Sequence, residues 1–385
     1  MSTEYKPLFN RTYLKVIPWI VAIVIIVLSA NDSSDFPTPE AIDNSSGFVF
    51  EDENASNQVI ATYPLAPAFS LSHQVDKQAL QEIYSDNFVN TDLEVTWEQD
   101  RVIVSFPLTK TIVSSLRDTL NSAAEYSPET YNNEYAKAKA AQYLSMNIPE
   151  ELAIANFKNH LPENYRTQFS PFNQQPTVLF IVKKRNNKLI KQTLEQLKAD
   201  KRMPKSDVVM DTGFAPQQIA LQGRSEQFVY LLGQTLEPND SHSEQLIALY
   251  YLHHALQNLN NAKEVTYRIQ RKPLKPLGYN FLMVSAKRNF DNNALLRLKN
   301  RLLDTITEDD LESIKKRLVK QYETQISTAE AKHFFFARQL FYGDKIQSPK
   351  AFHDTLTHIS LEQVKEQIAL FLNPDSAIVV NLTPL

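Results

Sequence analysis

The order of predicted elements repeats along the chain, and that repeat constrains its fold more than anything else in the sequence. LEVTWEQ (93–99) and RVIVSFPL (101–108) are rich in β-branched and aromatic residues and almost adjacent, which predicts a hairpin. A helix is predicted next, from Thr109 to Ala124, with Ile112, Val113, Leu116 and Leu120 on one side. Ser127-Pro128-Glu129 then opens another helix: Ser caps, Pro suits the first helical position, and an acid suits the first turn. About 180 residues on, the order returns. VTYRIQ (265–270) and YNFLMVSA (279–286) read as paired strands, ALLRLKNRLLDTI (294–306) as a helix, and Thr307-Glu308-Asp309-Asp310 as the acidic start of another. A chain built this way is a duplicated α+β unit, each copy an antiparallel sheet covered by helices.

Further segments extend both copies. PTVLFIVKK (176–184) reads as a strand followed by a helix, SEQFVYLLGQTL (225–236) as another strand, and Ser360 with Gln363 as a capping box before VKEQIALFL and the closing strand AIVVNL. The expected organisation is a first copy over 58–172 and a second over 173–385. Residues 31–57, with seven acids, no bases and many Ser, Asn and Pro, read as a solvated linker. Ahead of it, Lys6, Arg11 and Lys15 precede the apolar run Val16–Ala30. Residues 1–30 read as a short cytoplasmic tip and a membrane anchor, in contact with the bilayer over 14–30. The charge bias places the body of the protein outside the cytoplasm, and the absence of cysteine suits a bacterial periplasm as that compartment. Cleavage after Ser29 or Ala30 is the alternative.

Several chemistries lack the residues they need. There is no cysteine, so disulfides, thiolate zinc sites and cysteine nucleophiles are excluded. Six glycines supply no phosphate-cradling loop, and a net charge of -4 leaves no basic footprint for nucleic acid. The stretch SHSEQLIALYYLHHALQN (241–258) concentrates three of the eight histidines. It is not a metal site by helix geometry: His242 and His253 are separated by a rise of about 16 Å, and His253 and His254 splay apart. Ser241 and Glu244 have the spacing of a capping box. His73, His160 and His333 are isolated, and His353 and His358 have no carboxylate at ligand spacing.

The tandem α+β order, with PTVLFIVKKRNNKLIKQTLEQL, QFVYLLGQTLEPNDSHSEQLIALYYLHHAL, KPLKPLGYNFLMVSA and the ending ISLEQVKEQIALFLNPDSAIVVNLTP, resembles the pitrilysin/insulinase metallopeptidases, the inverzincins. The resemblance covers 173–385 and, more loosely, 88–172. In active members H-x-x-E-H on a helix of the first domain binds zinc, a distant glutamate completes the ligands, and the motif's glutamate is the general base. H-x-x-E-H occurs nowhere here. The helix expected to carry it, VDKQALQEIYSD, offers Asp76, Glu82 and Asp86; His73 precedes it, and Glu134 falls about where the distant ligand would sit. The family's second-domain R-x-x-x-x-L-G-Y element becomes Lys272 with Leu277, Gly278 and Tyr279, Arg271 being displaced by one residue.

The resemblance implies a non-catalytic member with no cofactor or metal. It would dock a protein partner, such as a zinc-bearing relative, with Arg271, Lys272, Leu277, Gly278 and Tyr279 as the candidate substrate or partner contact. An active zinc endopeptidase with scattered ligands (His73, Glu82, Glu134) and a free-standing peptide-binding module are the alternatives.

Overall fold

The computed structural model describes residues 36–42, 46–52, 55–165, 170–183, 187–197, 214–236, 242–260 and 264–385. The expected anchor and the capping residue Ser241 lie outside them. Among the described residues no helix is long and apolar enough to cross a membrane.

Eleven described strands form two sheets. The first contains β1 (Glu40–Ala41), β2 (Gly47–Glu51), β3 (Gln58–Pro64), β4 (Glu94–Trp97), β5 (Arg101–Pro107) and β6 (Val178–Lys183), in the order β1-β2-β6-β3-β5-β4. The second contains β7 (Gln217–Gly223), β8 (Phe228–Leu236), β9 (Val265–Lys272), β10 (Gly278–Ala286) and β11 (Ile378–Pro384), in the order β7-β11-β8-β10-β9. Apart from β1 the two orders superimpose strand for strand. The pairing sense matches too: β2 runs parallel to β6 as β7 runs parallel to β11, and the remaining neighbours are antiparallel. The duplication is therefore one of topology as well as of element order.

This equivalence corrects two expected boundaries. The segment 178–183 hydrogen-bonds to β2 and β3, so it closes the first sheet as 378–384 closes the second. The expected linker 31–57 contains β2, in which Phe50 is 1% exposed and stacks on Phe180 at 5.9 Å between ring centroids. Phe48-Val49-Phe50 supplies enough apolar area to hold a strand inside an otherwise polar stretch.

Helices follow the predicted signals where those signals are local. In the first copy these are α1 (Leu71–Phe88), α2 (Lys110–Ala123), α3 (Pro128–Ser145), α4 (Pro149–Lys158) and α5 (Asn187–Gln196). Thr109 caps α2 by accepting from the Ile112 N–H, and Ser127 caps α3 through the Thr130 N–H. The second copy has α6 (His242–Leu259), α7 (Asn292–Thr305), α8 (Glu308–Gln325), α9 (Ala329–Tyr342), α10 (Pro349–Thr357) and α11 (Leu361–Phe371). Complete capping boxes start α8 (Thr307 with Asp310) and α11 (Ser360 with Gln363).

The two copies exchange helices. The outer face of the second sheet packs Tyr230, Leu232, Leu282 and Val284 under α6, α7, α8 and α11. Its other face is covered by α4, which belongs to the first copy: Ala153, Ile154 and Phe157 lie against Val229, Leu231, Phe281 and Val380. Reciprocally, α9 of the second copy lies on the first sheet, with Phe336 5.4 Å and His333 5.7 Å from the Phe50 ring. Covering both faces explains why all nine residues of β10 are buried, where a one-sided sheet would alternate. Between the two sheets the exchange leaves an open cleft of about 1130 Å³.

Candidate functional site

Helix α1 forms one wall of the cleft. Its N-cap, Ser70, provides no side-chain cap. That task falls to Glu163, beyond α4, whose carboxylate accepts the N–H groups of Phe69 (2.6 Å) and Ser70 (3.0 Å) at the positive end of the helix. The same carboxylate meets His73 Nδ1 at 2.6 Å. Burial would raise the Glu163 pKa, but the hydrogen bonds from Ser70, Phe69 and His73 prevail and hold it below its ordinary value. Asp76, 1% exposed, accepts hydrogen bonds from the hydroxyls of Tyr131 and Tyr165, the latter at 2.7 Å. Burial and the Asp76 carboxylate push the Tyr165 hydroxyl pKa up. His73 and Asp76 therefore serve to seat the helix.

The residues of α1 that line the cleft are Gln74, Lys77, Gln78, Gln81 and Glu82. Two sets of them, 74/77/78 and 78/81/82, have the i, i+3, i+4 spacing of H-x-x-E-H, and neither contains a histidine. The first reads Gln-Lys-Gln. Lys77 Nζ donates to the Gln99 carbonyl, and burial, opposed by the Asp100 charge, lowers its pKa to about 8. Of the scattered ligands considered for an active enzyme, Glu82 lines the cleft, His73 is held by Glu163, and Glu134 pairs with Lys137 at 2.6 Å. The structure does not bring the three together. Among the described residues no group of three or more His, Asp or Glu side chains has metal-binding geometry.

The opposite wall is the β9–β10 hairpin. Arg271, Lys272 and Tyr279 line the cleft, whereas Leu277 is buried and Gly278 is a close backbone contact. A Cβ on Gly278 would stand 2.3 Å from the Lys272 carbonyl oxygen and 2.7 Å from the Leu274 nitrogen, so only glycine fits. Lys272 lies directly across the hairpin from Tyr279. The Tyr279 ring packs on Phe69 and Phe157 at 5.9 and 5.7 Å, and Lys158 Nζ sits 5.8 Å from its centroid. Burial, only partly offset by the nearby Gln99 side chain and the charge of Arg268, raises the Tyr279 pKa to about 12. Burial lowers that of Arg271, against the charge of Asp344.

The two walls are tied at one end. Asp100, in the β4–β5 turn and fully buried, accepts the Lys275 N–H at 2.8 Å. Arg101, 2% exposed, donates to Asp100 at 3.2 Å and to the Tyr342 hydroxyl at 2.6 Å, and its guanidinium faces the Phe341 and Tyr342 rings. The Tyr342 hydroxyl lies 2.9 Å from both the Asp100 carboxylate and the Pro273 carbonyl, to either of which it can give its proton. Burial raises the Asp100 pKa despite Arg101 and the Lys275 N–H. Sequence reasoning missed Asp100, Tyr342 and Glu163. Apart from the adjacent pair Asp100 and Arg101, their partners are remote in the chain, and none carries a local pattern.

The histidine-rich helix α6 packs on the outer face of the second sheet, against β9, and meets the cleft through Ser243 and Leu246, not through His253 or His254. His253 bonds Gln257 at 2.8 Å and His254 meets Arg317 at 2.9 Å. Burial first, then Arg317 and His253, lower the His254 pKa. Glu244 accepts from the Gln363 side chain at 2.8 Å and so links α6 to the capping box of α11.

No family model matches the sequence, and no curated protein matches it. Solved structures do. A protease from Helicobacter pylori is 13% identical with a TM-score of 0.65, over 90% of this chain and 100% of that one. An inactive domain of a peptidase of family M16 from Pseudomonas fluorescens is 11% identical with a TM-score of 0.61, over 91% and 98%. A ferredoxin protease in complex with Arabidopsis ferredoxin is 12% identical with a TM-score of 0.54, over 92% of this chain and 45% of that one. The chain has the fold of M16, pitrilysin-like, peptidase domains.

Proposed function

We propose that this chain is a catalytically inactive, peptidase-like protein that holds a polypeptide in the inter-sheet cleft. It acts as partner or scaffold for an exported zinc peptidase or another periplasmic protein, and residues 14–30 anchor it to the inner membrane. One observation carries the reading: every cleft-facing position of α1 at H-x-x-E-H spacing holds an amide, a lysine or a lone glutamate, so the wall that would need imidazoles has none. A lysine ammonium at the centre of that wall repels a divalent cation. Structures of the same fold include an inactive domain and a protease bound to a protein, which is the company such a role would keep.

Membrane-extracted protein should contain no stoichiometric zinc and leave unfolded peptides intact. Stoichiometric zinc with chelator-sensitive cleavage would sink the reading. Co-purification after cross-linking in intact cells should recover a specific exported protein, and release of the chain from membranes by alkaline washing would remove the anchor from the proposal.

A further inference from the structure

The charge of the cleft is lopsided. Besides the buried Arg101, its lining includes Lys77, Lys158, Arg271, Lys272, Arg338 and Lys345, against the acids Glu82, Glu98 and Asp344. Glu98 pairs with Arg101, and Asp344 acts on Arg271. Among the described residues Lys77, Lys158 and Lys272 line the same cleft and form no ion pair with a carboxylate. Lys158 shows the consequence: burial, with the charges of Lys272 and Arg268 adding to it against Glu151, lowers its pKa. The excess sits inside a protein whose formal net charge is -4, so it is local to this cleft.

Taking the polypeptide-holding role above as its basis, we propose that the cleft selects an acidic, extended segment of another polypeptide. Carboxylates of that segment pair with Lys158 and Lys272 beside Tyr279, and with Lys77 across the cleft. The volume exceeds what one small anion needs. Trp97, half-buried, gives the same lining an apolar face suited to side chains between the acids. A nucleic acid suits it less, because the anionic exterior repels a long polyanion, whereas an acidic stretch can belong to a protein of any net charge.

The test is calorimetric titration of the full chain with three peptides of equal length, one rich in Asp and Glu, one neutral and one rich in Lys, and with a single-stranded oligonucleotide. Binding by the acidic peptide alone, weakened by added salt, supports the proposal. Lys272→Gln and Lys158→Gln should each weaken it by up to about five-fold. Lys320→Gln, on an exposed face of α8, should leave it unchanged. Thermal melting identifies a variant that has lost its fold, and Lys272→Gln, at a half-buried position, serves as the second variant should Lys158→Gln fail. Equal binding of all three peptides, or no effect of Lys272→Gln in folded protein, overturns the acidic preference while leaving peptide holding intact. Binding of the oligonucleotide in place of the peptide overturns the proposal outright, and binding of nothing overturns it together with the role it rests on.

Discussion

The Asp100 carboxylate accepts the backbone N–H of Lys275 at 2.8 Å, joining the β4–β5 turn of one copy to the β9–β10 turn of the other across 175 residues of chain. Because Asp100 is also bonded to Arg101 and Tyr342, removing it takes the buried carboxylate from a buried guanidinium, leaves that guanidinium the partly exposed Glu98 as counter-charge, and confines the Tyr342 hydroxyl to the Pro273 carbonyl. Breaking one partner of such a set costs about 3–5 kcal/mol. Asp100→Ala should therefore lower the denaturation midpoint well below that of Tyr342→Phe, which removes one hydroxyl and keeps the ion pair. Equal midpoints in chemical denaturation would show that Asp100 does not tie the copies.

The exchange of helices includes one close fit of ring against backbone. A Cβ on Gly233 would lie 2.2 Å from Cε2 of Phe157, so the β8 backbone is bare where the α4 ring presses on it. Gly233→Ala should cost about 1–3 kcal/mol by overpacking and Phe157→Ala about 3–5 kcal/mol by cavity formation. Combined, they should cost less than their sum, since the truncated ring makes room for the methyl group. A double-mutant cycle by urea denaturation gives the coupling, and strict additivity would separate the two residues.

Glu163 supplies a pH dependence of known sign. Its folded pKa lies below its unfolded value, so it adds stability that is present above about pH 4.5 and is lost as pH falls through the folded value. Wild-type protein should lose stability through that acid window faster than Glu163→Gln, which cannot titrate. Near neutral pH Glu163→Ala should cost about 1–2 kcal/mol, the loss of a helix N-cap. Thermal midpoints measured against pH decide it, and parallel curves for wild type and Glu163→Gln would contradict the capping role.

What could be read from the sequence was local. Hairpins, Ser/Thr caps and capping boxes each lie within a few residues, and the structure carries them at 94–107, 127–130, 307–310 and 360–363. What escaped was non-local. Gln217–Gly223 is an edge strand whose alternating burial depends on pairing with a segment at the far end of the chain. α4 has a weak apolar stripe because it is enclosed, and the assignment of 178–183 to the first copy depends on hydrogen bonds to β2 and β3. The same division holds in the cleft. Gly278 was legible as part of the Leu277-Gly278-Tyr279 match, while the crowding of Lys158 by Lys272 arises only when two copies face each other.

The reading of α1 as a wall without ligands can be tested by adding them. Gln74→His with Gln78→His places two imidazoles one turn apart on the cleft face, and Lys77→Ala removes the ammonium between them. Two neutral imidazoles are a partial zinc site, so the triple variant should gain reversible zinc binding that the native chain lacks. With free zinc at about a hundredfold above its dissociation constant, binding should add about 2.7 kcal/mol of stability, read as a rise in melting midpoint that a chelator reverses. A native chain that shows the same zinc-dependent rise would mean that its own side chains already hold the metal, and the non-catalytic reading would fall. A triple variant that folds yet gains nothing would mean that positions 74 and 78 do not share a usable face, which removes the H-x-x-E-H spacing as the link between this helix and the metallopeptidase wall.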